Sequence, residues 1–279
     1  PEVMAYCSTY LDIVSLSIPF IALYNGGAAL FRTMGNSKIS MYTSLLMNAI
    51  NVVGNAILIY GFKMEVAGAA IPTLFSRIVA AVVMIALLRN PKLLVHLKRP
   101  FALRFNGGLI KRILYIGVPN GLENSMFQLG KIMLLSLVSG FGTAAIAANA
   151  VGNTLATFMV LPGMALGFAV ITVISRCIGA GDYEQARYFT KKLLKITYLS
   201  MLVTNILVVV AMPVIVKLYN LSEVASTIAM QIILSHGIAA ILIWPLAFTL
   251  PNTLRAANDV KFSMVISILS MWIFRIGFG

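Results

Sequence analysis

The sequence predicts an all-α polytopic membrane protein: eight transmembrane helices of a twelve-helix whole, arranged as two six-helix lobes with pseudo-two-fold symmetry about the membrane normal. Three observations carry this. Hydrophobic residues make up 60% of the 279-residue chain and charged residues 10%, against about one half and one quarter in soluble domains. So few charges cannot cover a water-soluble globule of this size. Several apolar runs also exceed the roughly 18 to 20 residues that carry a helix across a bilayer, and a segment near residue 32 recurs near residue 255.

The runs fall at 3–31, 39–61, 66–88, 113–139, 143–175, 193–216, 224–254 and 261–279. Backbone in hydrocarbon must satisfy its own hydrogen bonds, so runs of this length are helices, and the alternating ten-residue strands of a membrane barrel are absent. The first run carries Asp12 and Pro19 and is closed by Arg32; the second holds Ser44, Asn48, Asn51 and Asn55; the third holds Arg77 and ends at Arg89. A basic stretch follows, with Lys92, Lys98, Arg99, Arg104, Lys111 and Arg112. The fourth run carries Glu123 and Lys131, the fifth Pro162-Gly163, the sixth Pro213, the seventh His236 and Pro245, and the eighth Arg275. Internal prolines each remove a helical hydrogen bond and mark candidate kinks.

Orientation follows from the connections. The first, third, fifth and seventh, taken with Lys195 and Lys261 at the ends of the adjoining runs, hold sixteen Lys and Arg, whereas the others hold only Lys63 and Lys217. The basic set is expected in the cytoplasm, with the protein in the cell membrane. The net charge of +13 is therefore assigned to topology and lipid headgroups; nucleic-acid binding would need the charge on one solvated face. Cys7 and Cys177 fall near opposite membrane faces and predict no disulfide.

At an offset of 223 residues, Arg32, Lys38, Ser40, Met41, Ser44 and Leu46 coincide with Arg255, Lys261, Ser263, Met264, Ser267 and Leu269. The offset spans an even number of helices, so the copies run the same way, as parallel repeats do. The expected organisation is the C-terminal half of a first lobe over 1–90, a basic cytoplasmic linker over 91–112, and a second lobe lacking its last helix over 113–279. The chain reads as a fragment, since it opens at Pro1 without Met and stops inside an apolar run. Two such bundles around a polar cleft are a common frame for alternating access.

Candidate binding residues are the polar groups inside the runs. Asn120, Glu123, Asn124, Phe127 and Lys131 share one helical face, with Gln128 at its edge. Glu123 is read as the group that binds a coupling cation or takes up a proton; the alternative is a neutral acid hydrogen-bonded between helices. Lys131 lies about 12 Å further along the axis, too far for a direct pair with Glu123 in the same helix. Asn48 and Asn51 form a second stripe with Ser44 and Asn55, read first as helix-to-helix bridging and second as cavity lining. Asn149, Asn153, Asp12 and His236 complete the candidate set; Asp12 is read equally as site or packing residue, and His236 either titrates near neutral pH or, as a lone histidine more often does, simply packs. Arg77 and Arg275 are expected to neutralise an acid or reach headgroups.

Leu30 to Lys38 followed by Asn48, Asn51 and Asn55, then Gly68 to Thr73, Ile116 to Pro119, Gly142 to Asn149, and Pro162-Gly163 through Gly179-Ala-Gly181-Asp182 to Ala186, together resemble signatures of the multidrug and toxic compound extrusion (MATE) family, in family order. The resemblance implies two six-helix lobes, export of organic, often cationic, small molecules, and coupling to inward sodium ions or protons. It implies no other cofactor, no metal beyond a sodium ion near Glu123, no enzymatic activity and a monomer in lipid. The family's first-helix acidic site would lie outside this chain.

Rival readings are a lipid-linked saccharide flippase of the same superfamily, which would use Lys131 and Arg77 for phosphates, and an ion channel, for which no filter motif occurs. Gly179-Ala-Gly181-Asp182 matches an intramembrane aspartyl-protease motif, but no Tyr-Asp partner is present. Phosphate-loop, His-Glu-x-x-His and Gly-x-Ser-x-Gly motifs are absent.

Overall fold

A computed structural model describes residues 2–97, 106–219 and 221–276, and side chains within 4–273 of these. Lys98, Arg99, Arg104 and the side chain of Arg275 lie outside this set. Among the described residues the secondary structure is entirely helical, in two compact units, Pro1–Arg104 and Phe105–Gly279.

The first unit contains α1 (Glu2–Leu16), α2 (Ile18–Thr33), α3 (Ser37–Ala56) and α4 (Glu65–Leu88). The apolar run read as one span over 3–31 is bent by 42° between α1 and α2. Pro19, in the first turn of α2, has no N–H to continue the ladder. Ser17 takes up the break: its hydroxyl donates to the Val14 carbonyl and accepts from Arg77 Nη1 on α4. Arg77, expected to neutralise an acid or reach headgroups, instead serves this bend. The core of the unit sets Tyr24, Ala28 and Phe31 of α2 against Ala80, Met84 and Leu88 of α4. On α3, Asn51 Nδ2 donates to Thr73 Oγ1 of α4 at 3.0 Å and Asn55 Nδ2 donates to Asn51 Oδ1 at 3.2 Å, so part of the asparagine stripe bridges helices. Asn48 is exposed.

The second unit contains α5 (Gly107–Ser139), α6 (Thr143–Gly179), α7 (Tyr183–Leu218), α8 (Glu223–Trp244), α9 (Pro251–Ala256) and α10 (Val260–Ser270). A π-helical turn, Pro245–Thr249, joins α8 to α9. α6 is the hub, packing against α7, α8 and α9. Val151, Leu155 and Met159 of α6 meet Met212 and Val216 of α7 and Ile233 of α8 in one core cluster, while Val170 and Ile174 meet Ala186 and Ala256 in another. Next to Pro162, buried Asn205 of α7 donates to the Met159 carbonyl of α6 at 3.2 Å and to Met201 of its own helix at 2.7 Å.

The repeat is visible in the backbone of each unit. Gly35 has φ 84° and Asn258, 223 residues on, has φ 64°. Each follows a helix whose end is closed identically: Gly35 and Asn36 N–H groups donate to Arg32 and Phe31 carbonyls, and Asn258 and Asp259 N–H groups donate to Arg255 and Leu254 carbonyls. This is the left-handed helix stop that satisfies orphan carbonyls. Glycine meets it at no steric cost in the first copy, and asparagine, the next most tolerant residue, meets it in the second.

Among the described residues, six of the eight expected spans are long and apolar enough to cross a membrane. Five helical stretches are long and apolar enough to cross a membrane, Ser37–Gly61, Glu65–Leu88, Thr143–Gly179, Tyr183–Leu218 and Glu223–Ala256, and the bent α1–α2 pair makes a sixth. α5 is 33 residues long but is not among them, because Asn120, Glu123, Asn124, Gln128 and Lys131 dilute its hydropathy. The last predicted span is described only as the shorter apolar helix Val260–Ile273.

Candidate functional site

The polar face of α5 makes the one ion pair among the described residues. Both carboxylate oxygens of Glu123 accept from Arg255 Nη2 at 2.8 Å, with the two side chains 17% and 20% exposed. Arg255 Nη1 donates to Asn252 Oδ1 at 2.9 Å, and Asn252 Nδ2 donates to the Phe248 carbonyl at 3.2 Å. A charge-assisted contact of this kind is roughly twice as strong as a neutral one. It ties α5 to the last turn of α9.

Sequence reasoning set Lys131 aside as a direct partner of Glu123 and named no other. The structure supplies one, Arg255, which the sequence assigns to the topological charges of the seventh connection.

Glycines on α6 bring the two partner segments together. A Cβ at Gly163 would lie 2.2 Å from Trp244 Cζ3, and one at Gly167 would lie 2.7 Å from Asn252 Nδ2. These two positions are one turn apart, so they form a notch that seats the end of α8 and the start of α9. The seated segment turns its aromatics toward α5. Trp244 stacks on Phe248 at 5.0 Å between centroids, and Phe248 meets Phe127 edge-on at 6.0 Å. Lys131 Nζ then lies 5.1 Å from the Phe127 centroid. Glu123, Phe127 and Lys131 therefore occupy successive turns of α5, the first pairing with α9 and the second with the π-helical turn.

The other sequence candidates are distributed more widely. Asn124 Nδ2 donates to the Asn120 carbonyl at 2.8 Å, so its donor is engaged by its own helix. Gln128 is exposed. Asn153 donates to Asn149 Oδ1 at 3.2 Å on α6, about 21 to 27 Å along that helix from Gly167; the two amides form a polar patch apart from the Glu123 pair. His236 is partly buried on α8, and its Nε2 has no partner among the described residues. Asp12 is exposed on α1 of the other unit. Arg255, Asn252, Phe248 and Trp244 were missed as site residues. The in-register match of Arg32 with Arg255 was the available signal for the arginine; nothing in local periodicity pointed to the aromatics.

Long apolar helices that hold an acid and an arginine together among them define a polytopic α-helical membrane protein. A family model described as MatE matches residues 1–57 and 119–279, and the chain belongs to that family of transporters. It is 27% identical over 284 residues to the probable multidrug resistance protein YoeA of Bacillus subtilis (strain 168), covering 98% of this chain and 60% of that protein. It is 26% identical over 272 residues to the multidrug export protein MepA of Staphylococcus aureus (strain N315), covering 96% of this chain and 59% of that protein. The chain thus spans about three fifths of the length of these relatives. Its fold matches a solved outward-facing multidrug resistance MATE family transporter of the MOP superfamily with TM-score 0.87 and 19% identity, over 97% of this chain and 60% of that one.

Proposed function

We propose that the full-length protein is a secondary antiporter of the cytoplasmic membrane that exports small organic molecules by alternating access, driven by inward sodium ions or protons. The observation that carries this reading is the Glu123–Arg255 pair. A carboxylate among spanning helices is costly unless it faces a partner or a pathway. Here the partner is a cation, and a carboxylate held by one cation can exchange it for another. In the proposed cycle a sodium ion or proton takes the place of Arg255 at Glu123. The guanidinium then retains its bond to Asn252, so its charge keeps an acceptor while α9 is released from α5. Coupling follows because the substrate-loaded and ion-loaded arrangements differ in whether α5 and α9 are tied.

The relatives named as multidrug proteins support small organic substrates. The test expresses the full-length gene in a drug-sensitive host and follows dye efflux under sodium and proton gradients imposed separately. Efflux driven by one gradient and abolished by its collapse is the expected result. Efflux that ignores both gradients overturns antiport.

A further inference from the structure

The inference deepens the transporter reading and rests on it; it concerns the charge of the substrate. Lys131 sits eight residues before Ser139, the end of α5, about 12 Å from that end. A lysine so placed can extend outward and let its ammonium reach the headgroups. It does the opposite. Its Nζ lies back over the Phe127 ring, 5.1 Å from the centroid, one turn toward the middle of the helix. The ring beneath it is buttressed in turn by Phe248 and Trp244, with Trp244 seated at Gly163.

Among the described residues no carboxylate pairs with this ammonium. Glu123, the acid on the same face, has both oxygens on Arg255, and among the described residues Lys131 makes no ion pair. Among the described residues of the Glu123–Lys131 face the carboxylate and guanidinium cancel, and the Lys131 charge remains on an aromatic platform whose Phe248 is 43% exposed.

We propose that Lys131 and the Phe127–Phe248 platform form a substrate site selective for organic anions: a carboxylate, or a similar negative group, on a flat apolar body. The ammonium meets the negative group, and the exposed ring of Phe248 takes the apolar body. A permanently cationic compound is repelled from the same place.

The experiment uses the purified full-length protein and two probes with one aromatic body, pyrenebutanoate and a pyrenebutyl-trimethylammonium salt. Binding is measured by fluorescence at low salt, and uptake into proteoliposomes is measured in parallel. Wild type should prefer the anion by roughly tenfold, a modest ratio for one charge contact. Lys131→Arg should keep the preference, Lys131→Gln should lose it, and Lys131→Glu should invert it. Thermal unfolding of each variant checks that it is folded, and Lys131→Gln decides the matter if Lys131→Glu is not. Equal or cation-favouring binding by wild type, no binding of either probe, or a ratio unchanged in the folded variants overturns the proposal. If binding follows the prediction but no gradient moves either probe, the substrate site stands and the antiport reading fails.

Discussion

Arg255→Leu should destabilise the full-length protein by about 3 kcal/mol, because it leaves a carboxylate among apolar helices without its counter-charge. Glu123→Leu should cost a similar amount by stranding the guanidinium. The double substitution, Glu123→Leu with Arg255→Leu, should recover most of the loss, since an apolar pair of similar volume removes both desolvation penalties at once. Thermal unfolding in detergent reads all three. The double variant should fold well and still fail in gradient-driven export. Additive losses in the double variant would mean that the two side chains do not depend on each other, and the 2.8 Å contact would then carry no weight.

A second large effect is expected at Gly163. A methyl group there would overlap the Trp244 ring, with 2.2 Å to Cζ3 and 2.7 Å to Cε3. An indole is stiff and stacked on Phe248, so it cannot swing aside as the end of a methionine can. Gly163→Ala should therefore lower stability by about 1–3 kcal/mol, the usual range for overpacking. It should also shift the emission of Trp244, which leaves its stacked position. In a Trp244→Leu background the same substitution should cost clearly less. An equal cost in both backgrounds would show that the loss arises elsewhere, for instance from the backbone next to Pro162.

The parts of the fold that depend on one helix at a time could be read from residues alone. Apolar run lengths located nearly every helix, and the 223-residue match falls on the two segments that share the turn at Gly35 and Asn258. The spacing of Glu123, Phe127 and Lys131 correctly placed them on one face. What failed depends on several helices at once. Pro19 marks the candidate kink in the run 3–31 that the 42° bend realises, but hydropathy does not register that Ser17 and Arg77 support that bend. α5 has the length of a span, and its polar face is what lowers its hydropathy below that of the other long helices.

Arg255 shows the limit most clearly. Counting charges in connections treats each Lys and Arg as a topological marker, and the partner of Arg255 is 132 residues away. No periodicity within α9 reveals that partner. The notch that brings them together is made by Gly163 and Gly167, whose contribution is the absence of side chains, and that is invisible to a search for polar groups.

The decisive measurement compares two modes of flux in proteoliposomes holding full-length wild type or Glu123→Gln. Glutamine keeps an oxygen for Arg255 but can neither hold a sodium ion as a carboxylate does nor take up a proton. Exchange of labelled for unlabelled substrate, which needs no ion gradient, should persist in the variant, while accumulation driven by the sodium or proton gradient should be lost. Accumulation at the wild-type level in Glu123→Gln would contradict the role assigned to the Glu123–Arg255 pair.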